Sequence, residues 1–349
     1  MNAAQLSERI KQGEILQKLD LAGLDLSGAD LAGGIFEKVD FRGCQMQGVH
    51  FEESVFIHCR FGQAQLDEAD LHLCDLFRCY LNAVSLRGAS LGNASLVECR
   101  LKRADLSGAD LNMASIVESQ LAGARFCGAD LERATFLQCS AENIDFSATR
   151  LTQTVLLKAD LRTAQLKDVV FDRAILIEAR LSGQNLRGYA LAGTQFMQAD
   201  LGHCDLREAD LTQCNFRNAH LAHARLDGSR ARNALFISAQ LQGASLRHTQ
   251  LEQSLFIDAV AEHANFSDSS MAQCNLTRVK ARAAHFRNAD LTYADFSYAD
   301  LRDADLGGAR LSHAKLHAIH DAGAQISDRA SAAPPDLDLL KAEAWQPAY

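Results

Sequence analysis

The sequence predicts an all-β solenoid, a four-sided coil whose chain turns a corner every five residues and stacks one 20-residue coil on the next. Three observations predict it. Large apolar residues recur every five positions, small residues stand two positions before each of them, and no insertion or deletion breaks the phase from Leu21 to Leu316. A period of five fits neither an α-helix nor a flat strand, so the chain must bend at every repeat.

The large residues stand at positions whose numbers end in 1 or 6. Of the 60 such positions from Leu21 to Leu316, 37 are Leu and 16 are Phe. The small residues, at numbers ending in 4 or 9, are mostly Ala, Cys, Ser, Thr, Val or Gly. We expect both to point inward and the other three residues of each repeat to point outward. Coils that pair as parallel β-ladders rise about 4.8 Å each, so about 15 coils would extend on the order of 70 Å.

The residue before each large position is often Asp, as in Ala-Asp-Leu at 29–31 and 104–106, which gives the consensus A-D-L-x-x. This consensus resembles that of the pentapeptide-repeat family over about residues 19–326. The resemblance implies a right-handed quadrilateral β-helix of about 15 coils. It implies little about function, because members of the family do different things.

Both ends of the coil need caps, since an open coil exposes core and unpaired backbone. Residues 1–18 are expected to form an N-terminal cap, in which 3–12 read as an amphipathic helix with Leu6 and Ile10 on one face, stopped by Gly13. The solenoid is expected over 19–326. Residues 327–349 form a tail, in which 336–345 could be a short helix carrying Leu337, Leu340 and Trp345.

One coil departs from the pattern. Gln184 and Tyr189 occupy consecutive small positions, and neither side chain fits a slot meant for alanine. The coil around 181–200 is therefore expected to bulge or bend.

Composition bears on location and on ligand class. The net charge of −9 gives no general attraction to nucleic acid or anionic lipid. No run of apolar residues is long enough for a transmembrane helix, and the N-terminus lacks the pattern of a secretory signal. We expect a cytoplasmic protein that binds neither nucleic acid nor membrane, with export by a route that reads no N-terminal signal left open.

The ten cysteines invite a metal or disulfide interpretation, but nine of them fall in the small inward position and only Cys127 does not. Buried thiols behave as small hydrophobic groups. His203, His223 and His263 share one outward column without a third type of ligand beside them. No nucleophile, acid–base pair or cofactor motif stands out. We therefore expect no metal, no cofactor and no enzymatic activity, and we expect the repeated Asp to accept hydrogen bonds at corners.

One of the four faces differs from the others. Sorting residues by their number modulo 20 places a column of outward apolar side chains on it, broken once by Arg217, while the other three faces are almost all polar. This apolar stripe is predicted to run eleven coils, roughly 50 Å. Its members are Val55, Ile57, Phe77, Val97, Val117, Leu137, Val155, Leu157, Ile175, Ile177, Met197, Leu235, Ile237, Leu255 and Ile257.

Soluble monomers rarely expose so large an apolar patch, so we expect a protein partner or a second copy of the chain to cover it. The plainer interpretation, that β-forming residues favour strand geometry here, explains scattered residues but not ten of eleven in one column. The main hypothesis is a non-enzymatic binding scaffold or adaptor. The family resemblance suggests, as a specific form, an accessory or effector of a bacterial secretion system such as type VI.

Two alternatives remain open. One is a DNA-mimicking topoisomerase (gyrase) inhibitor, as the resemblance to quinolone-resistance members implies. Its acidic face would carry Asp30, Glu52, Glu53, Asp70, Asp110, Asp130 and Glu132. The other is a purely structural homodimeric rod.

Overall fold

The chain forms an all-β parallel solenoid of about 16 turns, which confirms the predicted fold class. The computed structural model describes residues 2–334 and 337–345. Pairing begins at Ile15, before the first strict repeat, and this accounts for the additional turn. The chain divides into two compact units, an N-terminal unit up to Arg180 and a C-terminal unit from Leu181.

The N-terminal unit opens with the predicted helix, α1 (Ala3–Lys11). Asn2 caps it: its side chain accepts the backbone N–H of Gln5, and the Gln5 side chain accepts the N–H of Asn2. Gly13 stops it in the left-handed region at φ +75°, where glycine carries no steric penalty. Leu6 is fully buried, so the helix covers the first coil.

One side of the N-terminal unit is a continuous parallel sheet of eight three-residue strands. Each strand pairs with the strand 20 residues later, in strict register. The strands are β1 (Ile15–Gln17), β2 (Ile35–Glu37), β3 (Val55–Ile57), β4 (Asp75–Phe77), β5 (Ser95–Val97), β6 (Ser115–Val117), β7 (Thr135–Leu137) and β8 (Val155–Leu157).

The other three sides consist of corners joined by single bridges, such as Asp20↔Asp40 and Asp25↔Gln45. At these corners the N–H of the small residue donates to the carbonyl three residues before it, as Ala64 does to Phe61 at 2.9 Å. The predicted role of the repeated Asp is confirmed, because its Oδ1 accepts the N–H two residues on, as Asp110 does from Asn112 at 2.9 Å. These bonds turn the chain without loops.

The large and small positions fill the interior as predicted. Nearly all the large residues are buried, and phenylalanines 20 residues apart stack, as Phe41 does on Phe61 with ring centroids 4.9 Å apart. Of the nine cysteines predicted to point inward, eight are buried and Cys139 is half-buried. The core is therefore a column of stacked like side chains.

The C-terminal unit keeps the same corners, with single bridges on every side until β9 (Asp305–Leu306) pairs with β10 (Gln325–Ile326). Gln184 and Tyr189 stay half-exposed, and their N–H groups still donate to the carbonyls of Leu181 and Leu186. Within this unit the two large side chains therefore leave the regular corner bonds intact. A 3-10 turn (Arg329–Ser331) and α2 (Leu337–Ala344) complete the described chain.

Across the described residues, no helix is long and apolar enough to span a membrane.

Candidate functional site

The stripe members of the N-terminal unit lie on the outer surface of its eight-stranded sheet, which we call the stripe face. From β3 to β8 the first and third residues of each strand point outward, and the middle residue is buried. All ten predicted members in this unit are half-exposed. They are Val55, Ile57, Phe77, Val97, Val117, Leu137, Val155 and Leu157 on the strands, followed by Ile175 and Ile177.

The sequence-based prediction of the stripe missed four exposed apolar residues on or beside this face. Ile15 and Ile35 pair in register ahead of Val55 and are 46% and 39% exposed, more than the predicted members. Their numbers differ from 55 by multiples of 20, so extending the column backward would have found them. Leu73 and Met113, 45% and 51% exposed, stand at corners two residues before β4 and β6. No periodic signal marks these two.

The apolar surface shifts from one outward column of the sheet to the other and covers both at β3 and at β8. At the N-terminal end it occupies the first outward column, through Ile15, Ile35 and Val55. From β3 to β8 it occupies the third-residue column, which consists of Ile57, Phe77, Val97, Val117, Leu137 and Leu157. In the middle of the sheet the first column carries small polar residues, namely Ser95, Ser115 and Thr135. In the middle of the face, the side chains of the first column therefore protrude less than those of the third column.

Side chains, in addition to backbone bonds, shape the corners at the end of this sheet. The Cys59 Sγ lies 3.3 Å from the Phe36 carbonyl and 3.6 Å from that of Ile57, and Cys79 and Cys99 repeat the arrangement. Ser119 Oγ donates to Leu96 O and accepts the N–H of Cys99 at 2.9 Å. These small polar groups hydrogen-bond to the backbone carbonyl and N–H groups at the corner, and each strand keeps three extended residues.

In the C-terminal unit the equivalent face carries the remaining stripe members, all half-exposed: Met197, Leu235, Ile237, Leu255 and Ile257. Arg217 is exposed and interrupts them, as predicted. Beneath them Phe196, Phe216, Phe236 and Phe256 form a stack with centroids 4.7 to 5.2 Å apart.

The tail first closes the last coil and then returns along this face of the C-terminal unit. The Ser331 carbonyl accepts the N–H of His313 at 3.0 Å, and Ala333 N–H donates to Ala314 O at 2.8 Å. From α2, Glu343 then accepts a hydrogen bond from Tyr298 and lies 3.0 Å from His317 Nε2. The bond to Glu343 raises the pKa of the Tyr298 phenol.

Leu339 of α2 lines a cavity together with Thr277 and Ser297, which follow Ile257 in the same outward column. The short helix therefore lies along the column, against its polar end. Leu337, Leu339, Leu340 and Trp345 all remain exposed, so the helix touches the coils without being buried against them.

The thiols and imidazoles are distributed along the described coils. Burial raises the pKa of Cys74, Cys204 and Cys274 to about 12, so these groups stay as neutral thiols. His203 and His223 stack at 5.1 Å. Among residues 2–334 and 337–345, no cluster of three or more potential ligands could hold a metal ion.

The acidic residues of the alternative hypothesis are largely engaged within their own face. The Oδ1 atoms of Asp70, Asp110 and Asp130 accept corner N–H groups. Arg150 approaches Asp130 at 3.4 Å and Glu132 at 3.6 Å. Glu52 and Glu53 are exposed. A continuous ladder of free carboxylates is therefore not formed on this face of the described chain.

Comparison with known proteins identifies the repeat. The model of pentapeptide repeats (8 copies) matches in overlapping segments over residues 16–48 and 144–317, and that of the pentapeptide repeat region matches 49–126. No curated protein matches the chain.

Among solved structures, one similar to this chain is HetL, a pentapeptide repeat protein involved in heterocyst differentiation regulation from the cyanobacterium Nostoc. It is 23% identical, with 94% of this chain and 98% of that chain covered and a TM-score of 0.22. QnrB1, a plasmid-mediated fluoroquinolone resistance protein, is 22% identical over 61% of this chain and 83% of its own, with a TM-score of 0.24. Neither likeness carries an argument about function.

Proposed function

Since this chain belongs to the pentapeptide-repeat family, we propose that it is a non-enzymatic protein-binding scaffold whose contact surface is the stripe face. One observation carries the proposal: an eight-stranded parallel sheet with Ile, Val, Phe and Leu on its outer surface. Parallel sheets are almost always covered on both faces, because apolar side chains on either side are stabilised by leaving water. The inner face of this sheet is covered by the core, and the outer face is available to a partner.

The enzymatic alternative gains no support from the geometry. The cysteines and aspartates whose pKa values are shifted have structural hydrogen-bond partners. They are distributed along the coils instead of converging on a cleft. A role as an accessory or effector of a bacterial secretion system, such as type VI, is the specific form of the scaffold hypothesis. The scaffold's partner would then be a cargo or adaptor protein.

The test is the solution mass of the full chain, by size-exclusion chromatography with light scattering, beside the double variant Ile177→Glu/Ile237→Glu. Both isoleucines point outward, so the fold should survive. The matched control, Gln165→Glu/Gln250→Glu, adds the same charge on other faces. A dimer that becomes a folded monomer only in the isoleucine variant would make the second copy the partner.

A monomeric wild type would direct the search to a different protein. The isoleucine variant should then lose that partner while the control keeps it. Retention of every partner by both variants would contradict the proposal.

The topoisomerase-inhibitor hypothesis requires different residues from the scaffold hypothesis, so mutations can distinguish the two. An inhibitor should lose activity on DNA gyrase when Glu52, Glu53 and Asp70 are neutralised to Gln, Gln and Asn, and should keep it in the isoleucine variant. A DNA supercoiling assay with these two variants distinguishes the inhibitor hypothesis from the scaffold hypothesis.

A further inference from the structure

We propose that the occupant of the stripe face in the N-terminal unit is a single amphipathic α-helix of a partner protein, laid along the stack of strands. This inference rests on the proposed scaffold function and names the partner's shape. Its first support is size. The apolar surface runs from Ile15 to Ile177, about 38 Å at the spacing of parallel strands, and is only one three-residue strand wide. An α-helix is about 10 Å across and covers 38 Å in about 25 residues.

The uneven surface of the stripe face is more complementary to a partner helix than to a flat partner surface. Ser95, Ser115 and Thr135 are small residues along the first outward column. Phe77 and the valines of the third column stand on one side of them, and the corner residues Leu73 and Met113 border the other. The middle of the face is thus a shallow channel with an apolar wall on one side and a mixed wall on the other, where Asn93 and Arg133 alternate with Leu73 and Met113. The ridge of side chains on an amphipathic helix could enter it.

The chain itself provides a precedent. On the equivalent face of the C-terminal unit, α2 lies along the same outward column, with Leu339 beside Thr277 and Ser297 and Glu343 beside Tyr298 and His317. A helix lying along a column of these coils is therefore an arrangement that this fold accepts. At that position the column is polar, and the eight-residue helix stays exposed along its whole length. In the N-terminal unit the two columns together offer an apolar surface about 38 Å long, against about 12 Å for eight helical residues.

An extended peptide would gain less from this surface. Strand addition depends on unpaired N–H and C=O groups at the edge of a sheet. Here the strands already bond to their neighbours, as Val55 N–H does to Gly34 O and Lys38 N–H to Ile57 O. A strand lying on the face would find no backbone partners, whereas a helix satisfies its own.

A second copy would also be a weaker occupant. The apolar strip measures about 400 Å² in projection, and a stable protein–protein interface needs about 800 Å² from each partner. Two such faces could reach that area only by burying the charged corners beside them, such as Arg78 and Glu98, which already form an ion pair at 2.8 Å. A helix needs only the strip, and binding in the micromolar range is expected from so small an area.

The experiment uses two display libraries of equal size selected against the full wild-type chain. One presents 25-residue helices with an Ala, Glu and Lys background and randomised positions on one face. The other presents 25-residue extended peptides with alternating randomised positions. Counter-selection uses the variant Phe77→Glu/Val117→Glu, with Gln165→Glu/Gln250→Glu as the matched control and circular dichroism as the check on folding. Val97→Thr/Val117→Thr, which preserves shape, serves if the first variant does not fold.

The proposal expects helical binders with apolar residues at i, i+3, i+4 and i+7, weakened about tenfold or more by the stripe variants and unaffected by the control. Extended binders that depend on the same residues would overturn the helix and keep the scaffold function. A dimeric wild type that the stripe variants render monomeric would assign the face to a second copy. If neither library yields binders that depend on the stripe and the chain is monomeric, both proposals fail.

Discussion

The ten cysteines show how position in the repeat decides the chemistry of a side chain. Eight are buried in the small position, where a thiol fills the slot of an alanine and lies against a carbonyl of the preceding coil, as Cys74 does against Phe51 O at 2.9 Å. Burial raises the pKa of Cys74, Cys204 and Cys274 to about 12. Since the thiolate is the reactive form, these thiols should be inert in the folded chain.

Thiol alkylation should therefore proceed in distinct phases. In the native protein Cys127, which lies on the outside of the coil, should react first and the half-buried Cys139 more slowly. The other eight should react only after unfolding. Mass spectrometry of iodoacetamide-treated protein measures this, and Cys127→Ser should remove the first phase alone. Equal reactivity of all ten thiols in the folded chain would contradict the inward placement.

At the scale of the element, the pentapeptide corner depends on a left-handed residue just before each small position. Glycine occupies it at Gly188 and Gly243, and alanine occupies it at Ala283 with φ +54°. Most side chains are thus tolerated there at modest cost. Gly243 differs because a Cβ on it would lie 2.7 Å from the His223 ring of the preceding coil.

Gly243→Ala should consequently cost more than Gly188→Ala. The second change adds only backbone strain of about 1 kcal/mol, because nothing lies within 4 Å of its Cβ. The first should cost about 1 kcal/mol more than the second, since the exposed His223 ring must turn away from its preferred rotamer. Urea unfolding followed by circular dichroism measures both. In a His223→Ala background, Gly243→Ala should cost no more unfolding free energy than Gly188→Ala does. Equal costs of the two changes in the wild-type background would refute the close approach of His223 to Gly243.

At the scale of the whole molecule, local ion pairs recur through both units and make stability depend on pH. Four aspartates each accept a bond from an arginine two residues later: Asp40, Asp160, Asp205 and Asp300. That bond holds the pKa of each carboxyl below its ordinary value. A depressed folded pKa means that the stabilisation is fully present above the ordinary pKa of about 4 and is lost as pH falls through the folded value.

The free energy of unfolding should therefore fall on acidification below about pH 4. Urea midpoints measured from pH 6 to pH 2.5 test this. Replacing the partner arginines with Gln, at Arg42, Arg162, Arg207 and Arg302, should flatten the pH dependence in that window. An unchanged slope in the fourfold variant would show that other groups govern the acid response.

The sequence by itself determined the repeat phase, and with it the interior. A period of five with no insertion leaves one way to place the large and small residues, so the stacked phenylalanines, the buried thiols and the outward stripe could all be derived from residue numbers. The same arithmetic would have reached Ile15 and Ile35. The capping helix followed from Leu6, Ile10 and Gly13 because these signals are local in the chain.

Only the tertiary structure decided which side of the coil became a sheet and where the tail lies. The eight strands lie on one side only, although residues 20 apart pair on every side of the coil. The position of α2 involves contacts of Glu343 with Tyr298 and His317, which lie far from it in the sequence. Leu73 and Met113 border the stripe face because each stands at the corner two residues before a strand. The repeat consensus does not specify an apolar residue at that corner. Periodicity fixes what points inward, while contacts between coils shape the surface.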